Sequence, residues 1–278
     1  MDRLAPLGYN DKRPPDREGQ PAADNRGPRT EEDRMRTFLT IMLTAAAVAA
    51  PGSARAADRD KAAVAVIEQA VKAHGGAEAL NKARKRTRSG QGVVVRNKDE
   101  VPFKTEETVS FPDRCRMTLD FDRGKLVVVL KGEKGWIQLG ATQSMDKETY
   151  TEWRDELYVW WLMTLTPLLK EDIELKPLAD AKVNGQDAAV VKVSRKDYPV
   201  VRLYFDKKSG LLVKISRRAM EAGIPVTKEY FYSDHKEFDG VKWPAKELTT
   251  RNGTKSSEAK FTNYKSLDRV EDKTFEKP

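Results

Sequence analysis

The sequence has few of the side chains on which most catalytic and metal sites depend. Its 278 residues include one cysteine and two histidines, His74 and His235. It contains no His-Glu-x-x-His motif, no cysteine pair and no glycine-rich nucleotide motif. These absences argue against metal, thiol and nucleotide chemistry. We therefore expect no metal, no cofactor and no enzymatic activity.

The lone cysteine lies in an alternating segment, CRMTLDF, at residues 115–121. A period of two is typical of a strand with one buried face. A buried strand thiol behaves as a small apolar side chain and is a poor nucleophile. We therefore expect Cys115 to have a structural role.

The positive charge of the chain is evenly spread. The formal net charge is +8, and Lys and Arg form neither a helical stripe nor a cluster interleaved with aromatic residues. A nucleic-acid-binding surface needs such a cluster, so we expect no nucleic-acid partner. An even distribution is typical of a solvated surface, with a mild attraction to anionic lipid headgroups as the alternative.

Residues 1–34 contain few large apolar side chains and many Asp, Arg, Pro and Gly. Such a segment cannot bury enough apolar surface to offset its conformational entropy, which predicts a disordered extension. The alternative is a start codon assigned too far upstream, with Met35 as the true start. The segment that follows favours this alternative.

Residues 35–56 have the anatomy of a secretory signal peptide. Arg36 supplies the positive charge, an uncharged apolar run follows, and Ala-Arg-Ala at residues 54–56 forms a cleavage site. A membrane anchor is the alternative, but it needs about 20 apolar residues and this run is shorter. We expect export and cleavage near Ala56, leaving residues 57–278 as a single soluble domain.

The mature part combines a short helix with many strands. Val64, Ile67 and Val71 recur at helical steps, which predicts a helix over residues 58–73. Further along, the apolar pattern has a period of two, and turn sequences such as Asn184-Gly185 separate the runs. We expect about five strands before the middle of the chain and about six after it. The fold class is therefore mainly β with flanking helices (α+β), built on one antiparallel sheet.

The most apolar stretch, ELYVWWLMTLTPLL at residues 156–169, interrupts these strands. It predicts a helix that Pro167 kinks or ends. A membrane span would need a longer run. Core packing is one alternative. A bound acyl chain is the other, because apolar side chains occupy almost every face of this helix.

Two later segments resemble the LolA-like superfamily of lipoprotein carriers. Residues 201–218, VRLYFDKKSGLLVKISRR, contain a similar Asp-x-x-x-Gly-Leu hairpin. Residues 229–248, EYFYSDHKEFDGVKWPAKEL, contain a similar strand ending in Asp-Gly-x-x-x-Pro. The closing Phe-Glu-Lys-Pro at residues 275–278 is also similar. With the order of helices and strands, the resemblance covers most of residues 58–278.

This resemblance implies a single curved antiparallel sheet that forms a half-open barrel, with the N-terminal helix and the mid-chain apolar helix as a lid. It implies non-enzymatic periplasmic binding of acylated cargo, a lipoprotein or a lipid, in outer-membrane lipoprotein sorting. A membrane-bound protein partner is a further expectation. The alternative is an envelope sensor or interaction module whose apolar helix docks a protein partner. The hydrophobic ligand-binding residues that we expect are Trp153, Leu157, Trp160, Trp161, Leu165, Leu168, Met117, Leu119 and Phe121.

Overall fold

The computed structural model describes residues 59–170 and 172–278. The interpretation of residues 1–34 as a disordered extension or mis-assigned start lies outside the described residues, and so does the predicted signal peptide at residues 35–56. Within the described ranges, no helix is both long and apolar enough to cross a bilayer.

Thirteen strands form one sheet in the described part of the chain. The strands are β1 Lys85–Arg96, β2 Asp99–Ser110, β3 Arg114–Phe121, β4 Gly124–Lys131, β5 Lys134–Leu139, β6 Ala141–Ser144, β7 Glu174–Val183, β8 Gln186–Ser194, β9 Val201–Asp206, β10 Leu212–Glu221, β11 Ile224–Phe238, β12 Val241–Arg251 and β13 Thr254–Ser266. This confirms the predicted fold class, a mainly β chain with a single antiparallel sheet.

The sheet consists of two meanders joined through the first and last strands. Its order is β6-β5-β4-β3-β2-β1-β13-β12-β11-β10-β9-β8-β7, and β1 pairs antiparallel with β13. Strands β6 and β7 are the two edges, so the sheet remains open. The hairpin predicted at Asn184-Gly185 joins β7 to β8 and lies inside the second meander.

Two glycines allow β1 and β13 to approach closely. A Cβ atom at Gly90 would lie 2.3 Å from the carbonyl oxygen of Lys260, and one at Gly92 would lie 2.1 Å from that of Glu258. The register also shifts between Ser89 and Gly90. Glycine in a strand commonly marks a bulge or a close backbone approach, and here both occur where the meanders join.

Three α-helices accompany the sheet in the described residues: α1 Lys61–Ala73, α2 Ala77–Lys82 and α3 Lys147–Leu162. The carboxylate of Asp60 caps α1 by accepting from the backbone N–H groups of Ala62 and Ala63. Asp146 caps α3 in the same way through the N–H of Thr149. Both caps satisfy donors that a helix start leaves unpaired.

Helix α3 begins and ends earlier than the sequence pattern predicts. The chain leaves the helix after Leu162, and Leu165 adopts a left-handed φ of 58°. Pro167 then lies within a separate 3₁₀ turn, Thr166–Leu169, and does not end α3. The predicted helical positions Leu165 and Leu168 therefore lie beyond α3. A conformation with positive φ breaks the helical ladder, which apolar spacing alone cannot indicate.

The strand count also exceeds the sequence expectation. Strand β6 has only four residues and is mostly exposed, so it has no apolar alternation. Strand β7 is similarly exposed along most of its length.

One hydrophobic cluster joins the helices to the sheet. It includes Ile67 of α1, Leu80 of α2, Leu157 of α3 and Trp243 of β12. Strand β4 is buried on both faces, because Phe275 of the C-terminal 3₁₀ turn covers its outer-facing valines. Cys115 is buried in β3, and burial raises the pKa of its thiol to about 12, as expected for a structural cysteine.

Candidate binding cavity

A cavity of about 220 Å³ lies between α3 and the sheet. Glu152, Trp153, Glu156 and Trp160 of α3 line one side, and side chains of strands β1, β2, β3, β10, β11, β12 and β13 line the others. The two side chains Trp153 and Trp160 occupy positions seven residues apart, so they share one face of α3. This face covers the cavity.

The cavity has an apolar side formed by β1, β2 and β3. Val94, Phe103, Met117 and Leu119 line it there. Phe103 belongs to the alternating run of β2, and Met117 and Leu119 belong to the alternating run of β3, so the period of two directs them to the same sheet face. Apolar groups placed next to Trp160 provide a surface for a hydrocarbon chain.

The opposite side of the cavity is charged. Four cationic and five acidic side chains line this side and the centre of the cavity. They are Arg88, Arg217, Lys228, Arg251, Glu107, Glu152, Glu156, Glu221 and Glu247. Burying charges is unfavourable unless they pair or form hydrogen bonds. We call these nine residues the charged cluster, and most of its members indeed pair with one another.

Glu156 lies at the centre of the pairing between α3 and the sheet. Its carboxylate accepts from Arg217 at 2.6 Å and from Tyr230 at 2.6 Å, and it also pairs with Lys228. Burial alone would raise the pKa of Glu156, but the charges of Lys228 and Arg217 outweigh it and hold the pKa at about 2. Glu156 is therefore ionised and fixes α3 to β10 and β11.

Arg88 forms a second group at the middle of the cavity. Its Nε donates to Glu107 at 2.6 Å, and its Nη1 lies 3.6 Å from the Oε2 of Glu247, too far for a hydrogen bond. Its guanidinium lies 5.3 Å from the ring centre of Trp160. Burial raises the pKa of Glu247, and repulsion from Glu107 and Glu156 opposes the pairing with Arg88.

The structure divides the nine predicted ligand-binding residues into groups. Four of them line the cavity: Trp153, Trp160, Met117 and Leu119. Four others are fully buried in the hydrophobic cluster: Leu157, Trp161, Leu165 and Leu168. The ninth, Phe121, lines a separate surface depression with Gly92 and Phe103. The ligand-binding role of the nine residues remains a prediction.

The two adjacent tryptophans have different surroundings. Trp160 lines the cavity, whereas Trp161 packs near Tyr158, with the guanidinium of Arg195 5.0 Å from its ring centre. Tyr158 in turn stacks on Tyr198. Neighbouring residues of a helix point about 100° apart, so one indole covers the cavity and the other belongs to the core.

Sequence reasoning did not identify the charged cluster. One signal was present, because Glu107 stands in the inward-facing register of β2 between Thr105 and Val109. An acid at a position that alternation assigns to the core requires a buried partner. That partner, Arg88, is a neighbour in the sheet but distant in sequence. The sequence therefore indicated the need for a partner without its identity.

The histidines and acids do not form a metal site in the described part of the chain. No group of three or more His, Cys, Asp or Glu side chains within residues 59–170 and 172–278 is arranged to hold a metal ion. His74 follows α1, and its Nδ1 lies 2.8 Å from the carbonyl oxygen of Ala70.

Comparisons with known proteins give information on the fold. An outer membrane lipoprotein-sorting protein domain from Vibrio parahaemolyticus matches 77% of this chain and 96% of its own, with 13% identity and a TM-score of 0.51. A DUF1329 family protein from Desulfovibrio piger matches 77% of this chain and 97% of its own, with 15% identity and a TM-score of 0.51. The chain shares the fold of these two structures. The fold that the resemblance implied, a single open antiparallel sheet with few helices, is confirmed.

A third solved structure, a LolA superfamily protein from Nitrosomonas europaea, matches 72% of this chain and 96% of its own, with 12% identity and a TM-score of 0.49. No family model and no curated protein matches the sequence. Identities this low relate the fold alone and leave the activity to be argued from the cavity.

Proposed function

We propose that this protein is a non-enzymatic carrier that binds acyl chains of a lipoprotein or lipid in the cavity beneath α3. The observation on which this depends is an unfilled space of about 220 Å³ next to Trp153 and Trp160. The mid-chain helix then has two roles, because it completes the core with one face and covers the ligand with another.

The size of the cavity determines how much ligand it takes. Its volume of about 220 Å³ lies above the roughly 150 Å³ of an engineered apolar cavity that binds benzene. It lies below the roughly 300–1,000 Å³ of pockets for drug-sized ligands. In this conformation it accommodates part of one hydrocarbon chain. A cargo with several acyl chains would require α3 to move away from the sheet.

The binding energy follows from apolar burial. Each buried methylene contributes about 0.8 kcal/mol, so a segment of several methylenes gives measurable affinity after the cost of association. Met117 and Leu119 offer one wall for that segment, and Trp160 offers the other. Methionine adapts its shape to a flexible chain, and tryptophan supplies a large apolar surface.

The proposal includes the setting in which the carrier works. With a signal peptide at residues 35–56 and cleavage near Ala56, the protein is exported to the periplasm, where it participates in lipoprotein sorting. A membrane-bound protein is then its delivery partner. The shared fold with a lipoprotein-sorting domain supports this setting.

The alternative, a sensor whose apolar helix docks a protein, is less well supported. Docking needs an exposed apolar face, but Leu157, Val159, Trp160 and Leu162 of α3 are all buried against the protein's own core. A partner would reach them only after α3 had left the sheet. Acyl-chain binding needs no such step for a single chain, and we therefore favour it.

A neutral acyl probe tests the proposal. The methyl ester of the fluorescent polyene fatty acid parinaric acid has an acyl chain without a charged head. We expect saturable binding to the wild-type protein with one site per chain. Ala259→Phe, which places a ring in the cavity lining, should weaken this binding at least about tenfold, the effect of losing about 1.4 kcal/mol.

The matched control is Ala181→Phe, at a half-buried strand alanine of β7 outside the cavity lining. This variant should bind the ester like the wild-type protein. Urea unfolding of both variants checks that the fold is intact. Failure of the wild-type protein to bind the ester, or equal binding by folded Ala259→Phe, would refute acyl binding in this cavity.

A further inference from the structure

Five polar atoms in the cavity lining have no hydrogen-bond partner. They are the Nη1 of Arg88, the Oε2 of Glu247, the Oγ1 of Thr105 and the Nε atoms of Arg217 and Arg251. Arg88 is 4% exposed and Thr105 is 2% exposed, so bulk water does not satisfy them. An unsatisfied buried polar group destabilises the folded protein, and such groups are rare. Their position around one space suggests that a ligand satisfies them.

Two donors define where the polar part of a ligand lies. Arg88 belongs to β1 and Thr105 belongs to β2, and these strands also form the apolar side of the cavity. A ligand with its chain against the apolar side therefore places its head beside Arg88 and Thr105. The cavity is amphipathic, and this arrangement selects an amphipathic ligand.

The chemistry of these atoms selects the head. Arg88 can only donate, so the ligand must accept. The hydroxyl of Thr105 can also donate. A carboxylate accepts from both and has a single negative charge. A phosphate would add more negative charge beside Glu107 and Glu156, which are already in the cluster.

Resting on the proposed acyl-chain binding, we propose that the ligand is a single-chain fatty acid whose carboxylate accepts hydrogen bonds from Arg88 and Thr105. Its alkyl chain lies against Met117, Leu119 and Trp160. Arg88 and Thr105 thus recognise the head, and the apolar side binds the chain. Arg88 and Thr105 are binding residues that distinguish a free acid from an ester with the same chain.

The test compares parinaric acid with its methyl ester on the same protein. We expect the wild-type protein to bind the acid about tenfold more tightly than the ester, which corresponds to one charge-assisted hydrogen bond. Equal binding of the two probes would overturn the head-recognition proposal while leaving acyl binding intact. Binding of neither probe would instead refute the underlying carrier function.

Arg88→Gln tests the cation directly. This variant should bind the acid only as well as the ester. Arg86→Gln is the matched control, because Arg86 is as deeply buried in the same strand but does not line the cavity. It should keep the preference for the acid. A folded Arg88→Gln protein with the wild-type preference would contradict the proposal.

Glu247→Gln provides a second variant that keeps the side-chain volume and removes the charge. It removes a carboxylate that repels the ligand and leaves Arg88 paired with Glu107. We expect a several-fold stronger preference for the acid over the ester. An unchanged or smaller preference for the acid would show that Glu247 does not face the head of the ligand.

Discussion

At the scale of the residue, His74 shows how burial controls charge. Its Nδ1 lies 2.8 Å from the carbonyl oxygen of Ala70, and its Nε2 lies 3.4 Å from the backbone nitrogen of Leu212. A neutral ring can donate at one nitrogen and accept at the other. Burial lowers the pKa of His74 to about 4, and the nearby His235 and Lys242 also oppose its protonation.

This shift predicts that acid destabilises the protein through His74. Because the pKa is about 4 when folded and about 6.5 when unfolded, the unfolded state takes up the proton first. The contribution of His74 to the free energy of unfolding is fully present above pH 6.5. It decreases as the pH falls towards 4, with a total loss of about 3 kcal/mol. Urea unfolding between pH 7.5 and 4.5 measures it.

His74→Gln separates this contribution from that of the carboxylates, which also titrate at low pH. The variant retains a donor and an acceptor but does not titrate. Its free energy of unfolding should fall less than that of the wild-type protein over the same pH range. Parallel pH dependence of the two proteins would mean that His74 is not the titrating group.

At the scale of the element, Glu156 determines how firmly α3 is held over the cavity. Glu156→Gln leaves Arg217 and Lys228 without their shared carboxylate, and loss of one partner from a buried ion pair costs about 3–5 kcal/mol. We expect a decrease of this order in the free energy of unfolding at pH 7, measured with urea. The pKa of about 2 predicts that the wild-type advantage is present above pH 4.5 and is lost towards pH 2.

Glu152→Gln is the control for that experiment. Glu152 lies one turn earlier on α3 and accepts from the backbone N–H of Ala222 at 2.8 Å. A glutamine oxygen can accept the same hydrogen bond. We expect an effect below about 1 kcal/mol. If the two variants lose equal stability, the ion pairs of Glu156 do not fix α3.

Sequence patterns predicted which helices and strands form better than they predicted where these elements end or which side chains pair. The alternation of β2 and β3 and the Asn184-Gly185 hairpin are local signals, and the structure has these elements. The end of α3 depends on the left-handed conformation of Leu165, which apolar spacing does not reveal. The charged cluster draws its members from α3 and from strands far apart in sequence, so no motif brings them together.

At the scale of the whole molecule, the pairing of β1 with β13 creates the surface below α3. These strands come from opposite ends of the described chain, and their pairing places the apolar side of β1–β3 beside the charged side of β10–β12. Gly90 and Gly92 permit the close approach of the two backbones. The resemblance to lipoprotein carriers implied the open sheet, but residue spacing alone did not specify this pairing.

The central claim is that the space beneath Trp160 holds a hydrocarbon chain. Native mass spectrometry of the protein, purified without detergent, measures this most directly, with organic extraction to identify what is bound. We predict an adduct with the mass of one acyl-chain-containing molecule, absent from Ala259→Phe and present in Ala181→Phe. Wild-type protein without an adduct, and without uptake of added parinaric acid or its ester, would contradict the claim.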